Sequence, residues 1–253
     1  MKCPNCGYDN AKLDGDAYFC PMCFSRFQPK VAETKSINNA EAPKADNKES
    51  ATASIYQENV KGVAMIQWSA DGSLFSGSGF IATSDGLVVT NGHVVYYDEK
   101  KCFTKKVKLI IDNKEYSGTV INANVPEDTS QDVAIIKIDD NNRFRPLRIG
   151  NSDRVVPGDD AIALGNPLGY GLAVSKGIIS DRRVFSEDTK YPVLISDVAI
   201  NGGNSGGPLF NDKGEVIAIC VASYSRAEQG MNIFIPINTV IEIVRSWGYI
   251  LGR

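Results

Sequence analysis

Hydrophobic positions in this chain fall into short runs divided by turn residues, with few long helical stripes. From Ile55 onward the runs are β-branched and punctuated by glycine, as in "GSGFIATSDGLVVTNGHVV", "KKVKLIIDNKEYSGTVI", "DVAIIKI", "AIALGNP", "YPVLISDVAI" and "SGGPLFNDKGEVIAICVAS". Val107, Leu109 and Ile111 alternate with Lys106 and Lys108, the period of a strand with one buried face, and Asp112–Asn113 supplies a turn into the next strand. Many short strands at close spacing predict an all-β barrel or sandwich, and no alternating long-helix pattern suggests a parallel sheet. One segment departs from this. In "NTVIEIVRSWGYI", Val240, Ile243, Val244 and Trp247 recur at helical spacing, Thr239 and Glu242 occupy capping-box positions, and Gly248 is placed to stop the helix. A short C-terminal helix is therefore expected, with "IYQENV" a weaker candidate at the start of the same domain. No internal repeat is visible, and the few residues after Ile237 leave no room for another domain in this chain.

The first 54 residues have a different texture. Residues 29–54, about Pro29 to Ser54, carry hardly any large apolar side chains and a balance of Lys and acidic residues. Such a stretch cannot offset its ordering entropy by burial, so it is expected to be a flexible linker. Ahead of it, Cys3, Cys6, Cys20 and Cys23 form CxxC, thirteen residues, then CxxC, a pattern that resembles a zinc ribbon over residues 1–28. Two CxxC knuckles supply the four thiolates of a tetrahedral zinc site, and in so short a segment metal binding would supply much of the folding free energy, on the order of 10 kcal/mol. The alternative, a dithiol redox pair, belongs at the start of a helix in a βαβ unit, which nothing here suggests.

Charge narrows the partners. The chain of 253 residues has a formal net charge of −3 and a pI near 5.3, which provides no field favouring nucleic acid or an anionic membrane. Residues 1–28 hold three basic and three acidic side chains, so the ribbon is expected to recruit a protein partner rather than nucleic acid. The N-terminus has no apolar run of the secretory kind, and no stretch approaches the roughly 20 apolar residues that cross a bilayer. With cysteines spaced for metal rather than for disulfides, these features predict a cytoplasmic protein. Cys102 and Cys220, outside the CxxC pairs, are both expected to be small buried hydrophobes.

The chemistry gathers around "NGGNSGGPLF", where Ser205 stands among four glycines. Glycine adopts positive φ without steric cost, so this loop can turn sharply and point amide hydrogens inward, as an oxyanion site requires; a simple glycine-rich turn would read the same way. A serine nucleophile needs a base, usually histidine, and the chain has a single one, His93 in "VVTNGHVV". Asp132 opens "DVAIIKI" and, on spacing alone, could be a turn residue at the head of a buried strand. Other acids near the strands, such as Asp197 in "ISDVAI", are expected to be structural.

The ordered blocks "TNGHVV", "DVAIIKI" and "GNSGGPL", with "GSGFI" before them and "ALGNPLG" between the last two, resemble the trypsin-fold serine proteases of the HtrA (Deg) type over about residues 55–250. The resemblance implies two six-stranded β-barrels with the active site in the cleft between them, so that residues 55–253 would form a trypsin-like protease domain. It further implies Ser205 as nucleophile, His93 as general base and then acid, Asp132 as the carboxylate orienting His93, and the backbone N–H groups of Gly203 and Ser205 as the oxyanion hole. The residue six before the serine, Ala199, would floor the substrate pocket, and with no carboxylate there a small or medium aliphatic residue is expected before the cut. No cofactor is expected for catalysis, zinc being confined to the ribbon.

The implied substrates are unfolded or extended polypeptides bound by strand addition. Self-association is a further expectation, since relatives often form trimers through the start of the protease domain. The sequence shows neither the PDZ domain nor the export signal or membrane anchor that most members carry, so PDZ regulation within this chain is not expected. It also has Gly202 where the family often has proline, which would give the oxyanion loop freedom to rest in an inactive shape. A catalytically silent peptide-binding scaffold, recruited through the ribbon, is the alternative reading.

Overall fold

The computed structural model describes residues 12–14, 17–19, 26–27, 50–124, 129–166, 171–183, 190–223 and 231–252. The chain divides into two compact units, Met1–Asn47 and Lys48–Arg253. In the first unit β1 (Lys12–Asp14), β2 (Ala17–Phe19) and β3 (Arg26–Phe27) form a three-stranded antiparallel sheet, with Lys12 opposite Phe19 and Tyr18 opposite Phe27. Cys3, Cys6, Cys20 and Cys23 lie outside the described residues.

The second unit begins with α1 (Ala51–Asn59), which starts inside the stretch expected to be a flexible linker. Ser50 caps it by accepting a hydrogen bond from Ala53 N at 3.2 Å, and Ile55 is buried. A capped turn and one buried isoleucine order these last residues, a local signal that the low apolar content of residues 29–54 hides.

Six strands then close the first barrel: β4 (Val63–Ala70), β5 (Ser73–Ile81), β6 (Leu87–Thr90), β9 (Lys106–Ile111), β10 (Lys114–Asn124) and β11 (Val133–Ile138), in the order β10-β11-β6-β5-β4-β9. A surface hairpin of β7 (Tyr96–Tyr97) and β8 (Cys102–Phe103) interrupts the run. The second barrel holds β12 (Asp160–Gly165), β13 (Ala173–Arg183), β14 (Val193–Ser196), β15 (Pro208–Phe210), β16 (Val216–Ser223) and β17 (Asn232–Pro236), closed in the order β12-β13-β14-β17-β16-β15. The expected all-β architecture of two six-stranded barrels is thus observed.

Side-chain periodicity explains which strands face what. On β9 only one face is buried, so Val107, Leu109 and Ile111 alternate with exposed Lys106 and Lys108. The Asp112–Asn113 turn has φ of 48° and 60°, the doubly left-handed geometry of a two-residue hairpin loop. By contrast, β11 is buried on both faces. Ala134, Ile136 and Ile138 fill the first barrel, while Val133 and Ile135 join Phe80, Val89, Ile162, Leu164 and Phe210 in the seam between the barrels. A strand in that position loses its polar alternation, which is why Val133 to Ile136 read as a continuous apolar run ahead of Lys137. The seam is what holds the two barrels in register at the cleft.

The C-terminal helix, α2 (Ile237–Ser246), starts two residues before the expected Thr239 cap. Pro236 is its N-cap, with no side-chain hydrogen bond, because β17 runs straight into the helix and Ile237 is already buried in the seam. Its end is as expected: Gly248 has φ 88°, Gly248 N donates to Arg245 O at 2.9 Å and Tyr249 N to Val244 O at 3.2 Å, the paired bonds of a Schellman stop. Of the two remaining cysteines, Cys220 is buried as expected, but Cys102 is exposed, since the two-residue β8 lies on the surface with no apolar layer over it.

Candidate active site

His93 follows β6 at the head of a short helical turn, His93–Val95, whose position is fixed from the first barrel: Trp68 on β4 donates from Nε1 to Val94 O at 2.8 Å and stacks on Phe75 with ring centroids 4.1 Å apart. Gly92 precedes it because a Cβ there would fall on the carbonyl oxygen of Asn124. Asp132 stands just ahead of β11. Its Oδ1 accepts from His93 N at 2.9 Å, its Oδ2 is hydrogen-bonded to His93 Nδ1, and its carbonyl accepts from Asn91 Nδ2 at 2.7 Å. The carboxylate side chain is 8% exposed and the imidazole 40% exposed. A shielded carboxylate thus holds one edge of a partly exposed ring that lines the cleft.

Ser205 lies between β14 and β15, in two successive tight turns. Asn204 N donates to Asn201 O at 3.0 Å with Gly203 at φ 96°, and Gly207 N donates to Asn204 O at 2.9 Å with Gly206 at φ 80°. Positive φ at the third residue only is the type II geometry that glycine accommodates, which gives Gly203 and Gly206 their physical reason. The hydroxyl of Ser205 donates to Val221 O at 2.9 Å. Among the described residues, neither Gly203 N nor Ser205 N has a protein acceptor, so both N–H groups are free donors beside the serine. His93, Asp132 and Ser205 line one cleft of about 410 Å³, together with Ile200, Asn201, Gly202, Cys220 and Val221.

Ala199 is not brought into that cleft. It is exposed, and its carbonyl accepts from Ser175 Oγ at 2.7 Å; Ile200 and Cys220 line the cleft instead. Burial pushes the Cys220 thiol up from its ordinary range, so it enters the cleft wall as a neutral apolar group. Asp197 is structural as expected, with Oδ1 accepting from Ile178 N at 2.7 Å. Two residues that the sequence pattern gives no role, Asn91 and Ser78, stand inside the quoted stretches "TNGHVV" and "GSGFI". Asn91 precedes the histidine by only two positions, and a buried polar residue in an apolar run was the available signal.

Gly202 is exposed, outside the left-handed φ range, and a Cβ there would meet nothing within 4 Å. Gly202→Ala should therefore raise stability by about 0.4–1 kcal/mol through loss of unfolded-state freedom. A urea midpoint equal to or below wild type would contradict this.

A family model described as "Trypsin-like peptidase domain" matches residues 77–219. "Probable periplasmic serine endoprotease DegP-like" of Pseudomonas putida is 38% identical over 170 residues, which is 66% of this chain and 34% of the relative. "Putative serine protease HhoB" of Synechocystis is 43% identical over 176 residues, 68% of this chain and 40% of the relative. Among solved structures, the HtrA-type protease AlgW with tripeptide matches at 30% identity and a TM-score of 0.67, covering 77% of this chain and 62% of that one. The chain thus spans between a third and two fifths of the length of these curated relatives. The DegP-like relatives are named periplasmic, which overturns the expected cytoplasmic location. That expectation rested on cysteine spacing and the missing apolar run, neither of which reads a compartment directly. No helix among the described residues is long and apolar enough to cross a membrane.

Proposed function

Because this chain belongs to the trypsin-like peptidase family, we propose that it is a serine endopeptidase of the HtrA type acting on unfolded or extended polypeptides. The observation that carries the proposal is the pairing of buried Asp132 with His93 Nδ1, on the same cleft as Ser205, with the free N–H groups of Ser205 and of Gly203 two residues before it. With Nδ1 engaged, Nε2 takes the proton of the Ser205 hydroxyl as its oxygen attacks the scissile carbonyl, and Asp132 stabilises the resulting imidazolium. The N–H groups of Gly203 and Ser205 take the developing oxyanion. His93 then returns the proton to the leaving amine, an acyl-enzyme remains on Ser205, and water activated by His93 releases it. In the resting chain Ser205 donates to Val221 O and not to His93, so a turn about its Cα–Cβ bond precedes attack.

Ile200, Cys220 and Val221 present an apolar wall near Ser205, which supports a preference for small or medium aliphatic residues before the cut. Strict cleavage after Lys or Arg would refute it. The AlgW match bears a tripeptide, and extended peptide is the ligand a cleft of this kind takes.

For the first unit we propose structural zinc on Cys3, Cys6, Cys20 and Cys23 and recruitment of a protein partner. The support is the CxxC spacing and the β1–β2 hairpin, which the chain enters and leaves at the same end, as two flanking knuckles require.

The test is fluorophosphonate labelling of the purified chain, followed by casein digestion. Labelling that maps to Ser205 and disappears in His93→Ala supports a working nucleophile and base. A folded protein that neither labels nor digests casein would sink the proposal, and the Ser205–Val221 bond would then favour the silent peptide-binding scaffold.

A further inference from the structure

Ser78 on β5 lies outside the three catalytic blocks, yet it is fully buried and every polar group it carries is engaged by a different part of the site. Its N–H donates to Ser205 O at 2.8 Å. Its hydroxyl donates to Gly203 O at 2.7 Å, across 125 residues of sequence, and accepts from Asn166 N at 2.9 Å. Its carbonyl accepts from Thr90 Oγ1 at 2.6 Å, three residues before His93. The proton of the hydroxyl has one place to go: the oxygen already accepts from a backbone N–H, so its own hydrogen faces the Gly203 carbonyl.

Resting on the peptidase reading, we propose that Ser78 is a positioning residue for the oxyanion site, holding the Gly203 and Ser205 amides in place by anchoring the carbonyls of those same two residues. Gly203 and Ser205 each carry an N–H with no acceptor among the described residues, and each has its own carbonyl tied to Ser78. The need for such an anchor is local. Gly202 and Gly203 are adjacent glycines, Gly202 is exposed with open space around it, and the 3.0 Å bond from Asn204 N to Asn201 O closes their turn without immobilising it. Preorganised donors stabilise a transition state because they need no rearrangement when charge develops, and a donor residue left loose forfeits that advantage. Ser78 reaches the turn because β5 has glycine on both sides of it; a Cβ on Gly77 would lie 2.6 Å from Val94 Cγ1, and one on Gly79 would lie 2.7 Å from Val89 O. The Asn166 contact brings the second barrel into the same anchor. Asn166 Oδ1 accepts from Gly171 N at 2.8 Å, so Gly171 is tied through Asn166 and Ser78 to the oxyanion turn.

The test is Ser78→Ala, which keeps the backbone bond to Ser205 and removes only the hydroxyl bonds. Expected is a fall in kcat of about 10- to 100-fold, below the cost of deleting an oxyanion donor outright, with KM on a fluorogenic peptide within about threefold. Inhibition by a peptide aldehyde, whose adduct carries the oxyanion, should weaken in step with kcat, while affinity for the matching product peptide stays unchanged. A merely structural role would move KM and product affinity as well. Hydrogen exchange of the peptide spanning residues 201–207 should speed up with no comparable change elsewhere. Unchanged kcat and aldehyde affinity in Ser78→Ala, beside a wild type that labels at Ser205, would overturn the role of Ser78 and leave the peptidase reading intact. If the wild type proves inert, exchange decides alone: faster exchange over 201–207 upholds the anchor, and unchanged exchange overturns it.

Discussion

Asp132→Asn is expected to lower kcat about 10⁴-fold with little change in fold, the scale of that exchange in a Ser-His-Asp template. The reason is proton placement. In the structure one carboxylate oxygen accepts from His93 N and the other meets His93 Nδ1. An asparagine here must keep its oxygen toward the backbone N–H, because an NH₂ group would face another donor. That choice puts the NH₂ against Nδ1, which must then become an acceptor, so the ring proton moves to Nε2. Nε2 becomes a donor, and the Ser205 proton has nowhere to go. Stability should change little, since the side-chain volume, the bond to His93 N and the Asn91 bond to the Asp132 carbonyl all persist. Measured kcat on a fluorogenic peptide within tenfold of wild type, in a protein with an unchanged melting curve, would remove Asp132 from the mechanism.

Much of this site was legible in the sequence because its parts are local. "TNGHVV", "DVAIIKI" and "GNSGGPL" each place one reactive side chain at the end of a strand or in a glycine turn, and the structure brings all three to one cleft. The barrels were legible for a related reason: strands buried on both faces read as continuous apolar runs, and outer strands such as β9 alternate. What escaped was non-local. The anchors on Ser78 join residues 125 and 88 positions apart through backbone carbonyls and amides, which every residue has, so no residue type announces them. Ala199 is exposed and does not join the described lining of the cleft, and α2 begins early because Ile237 packs into the seam, a tertiary contact stronger than the capping pattern at Thr239.

The same non-local packing makes the glycines around Ser205 unequal, and Gly206→Ala is expected to cost more than about 4 kcal/mol, beyond the ordinary range for one substitution. Gly206 has φ 80°, which by itself disfavours an L side chain by roughly 1–2 kcal/mol. The greater part of the cost is steric. A Cβ at this position would fall on both Thr90 Oγ1 and Ser78 O, the two ends of the 2.6 Å bond that ties β6 to β5. Neither atom can retreat: Thr90 and Ser78 are fully buried, and Ser78 is held on its other sides by Ser205, Gly203 and Asn166. Inserting the methyl therefore severs a buried bond as well as straining the turn, and burial of an unpaired hydroxyl and carbonyl adds its own penalty. Gly202→Ala, the same chemical change four residues earlier, meets only open space and serves as the matched control. Urea denaturation of the two variants should separate them to opposite sides of wild type, and a Gly206→Ala midpoint within the equivalent of about 1 kcal/mol of wild type would show that the turn relaxes around the added methyl and that the packing beneath Ser205 is far softer than these contacts require.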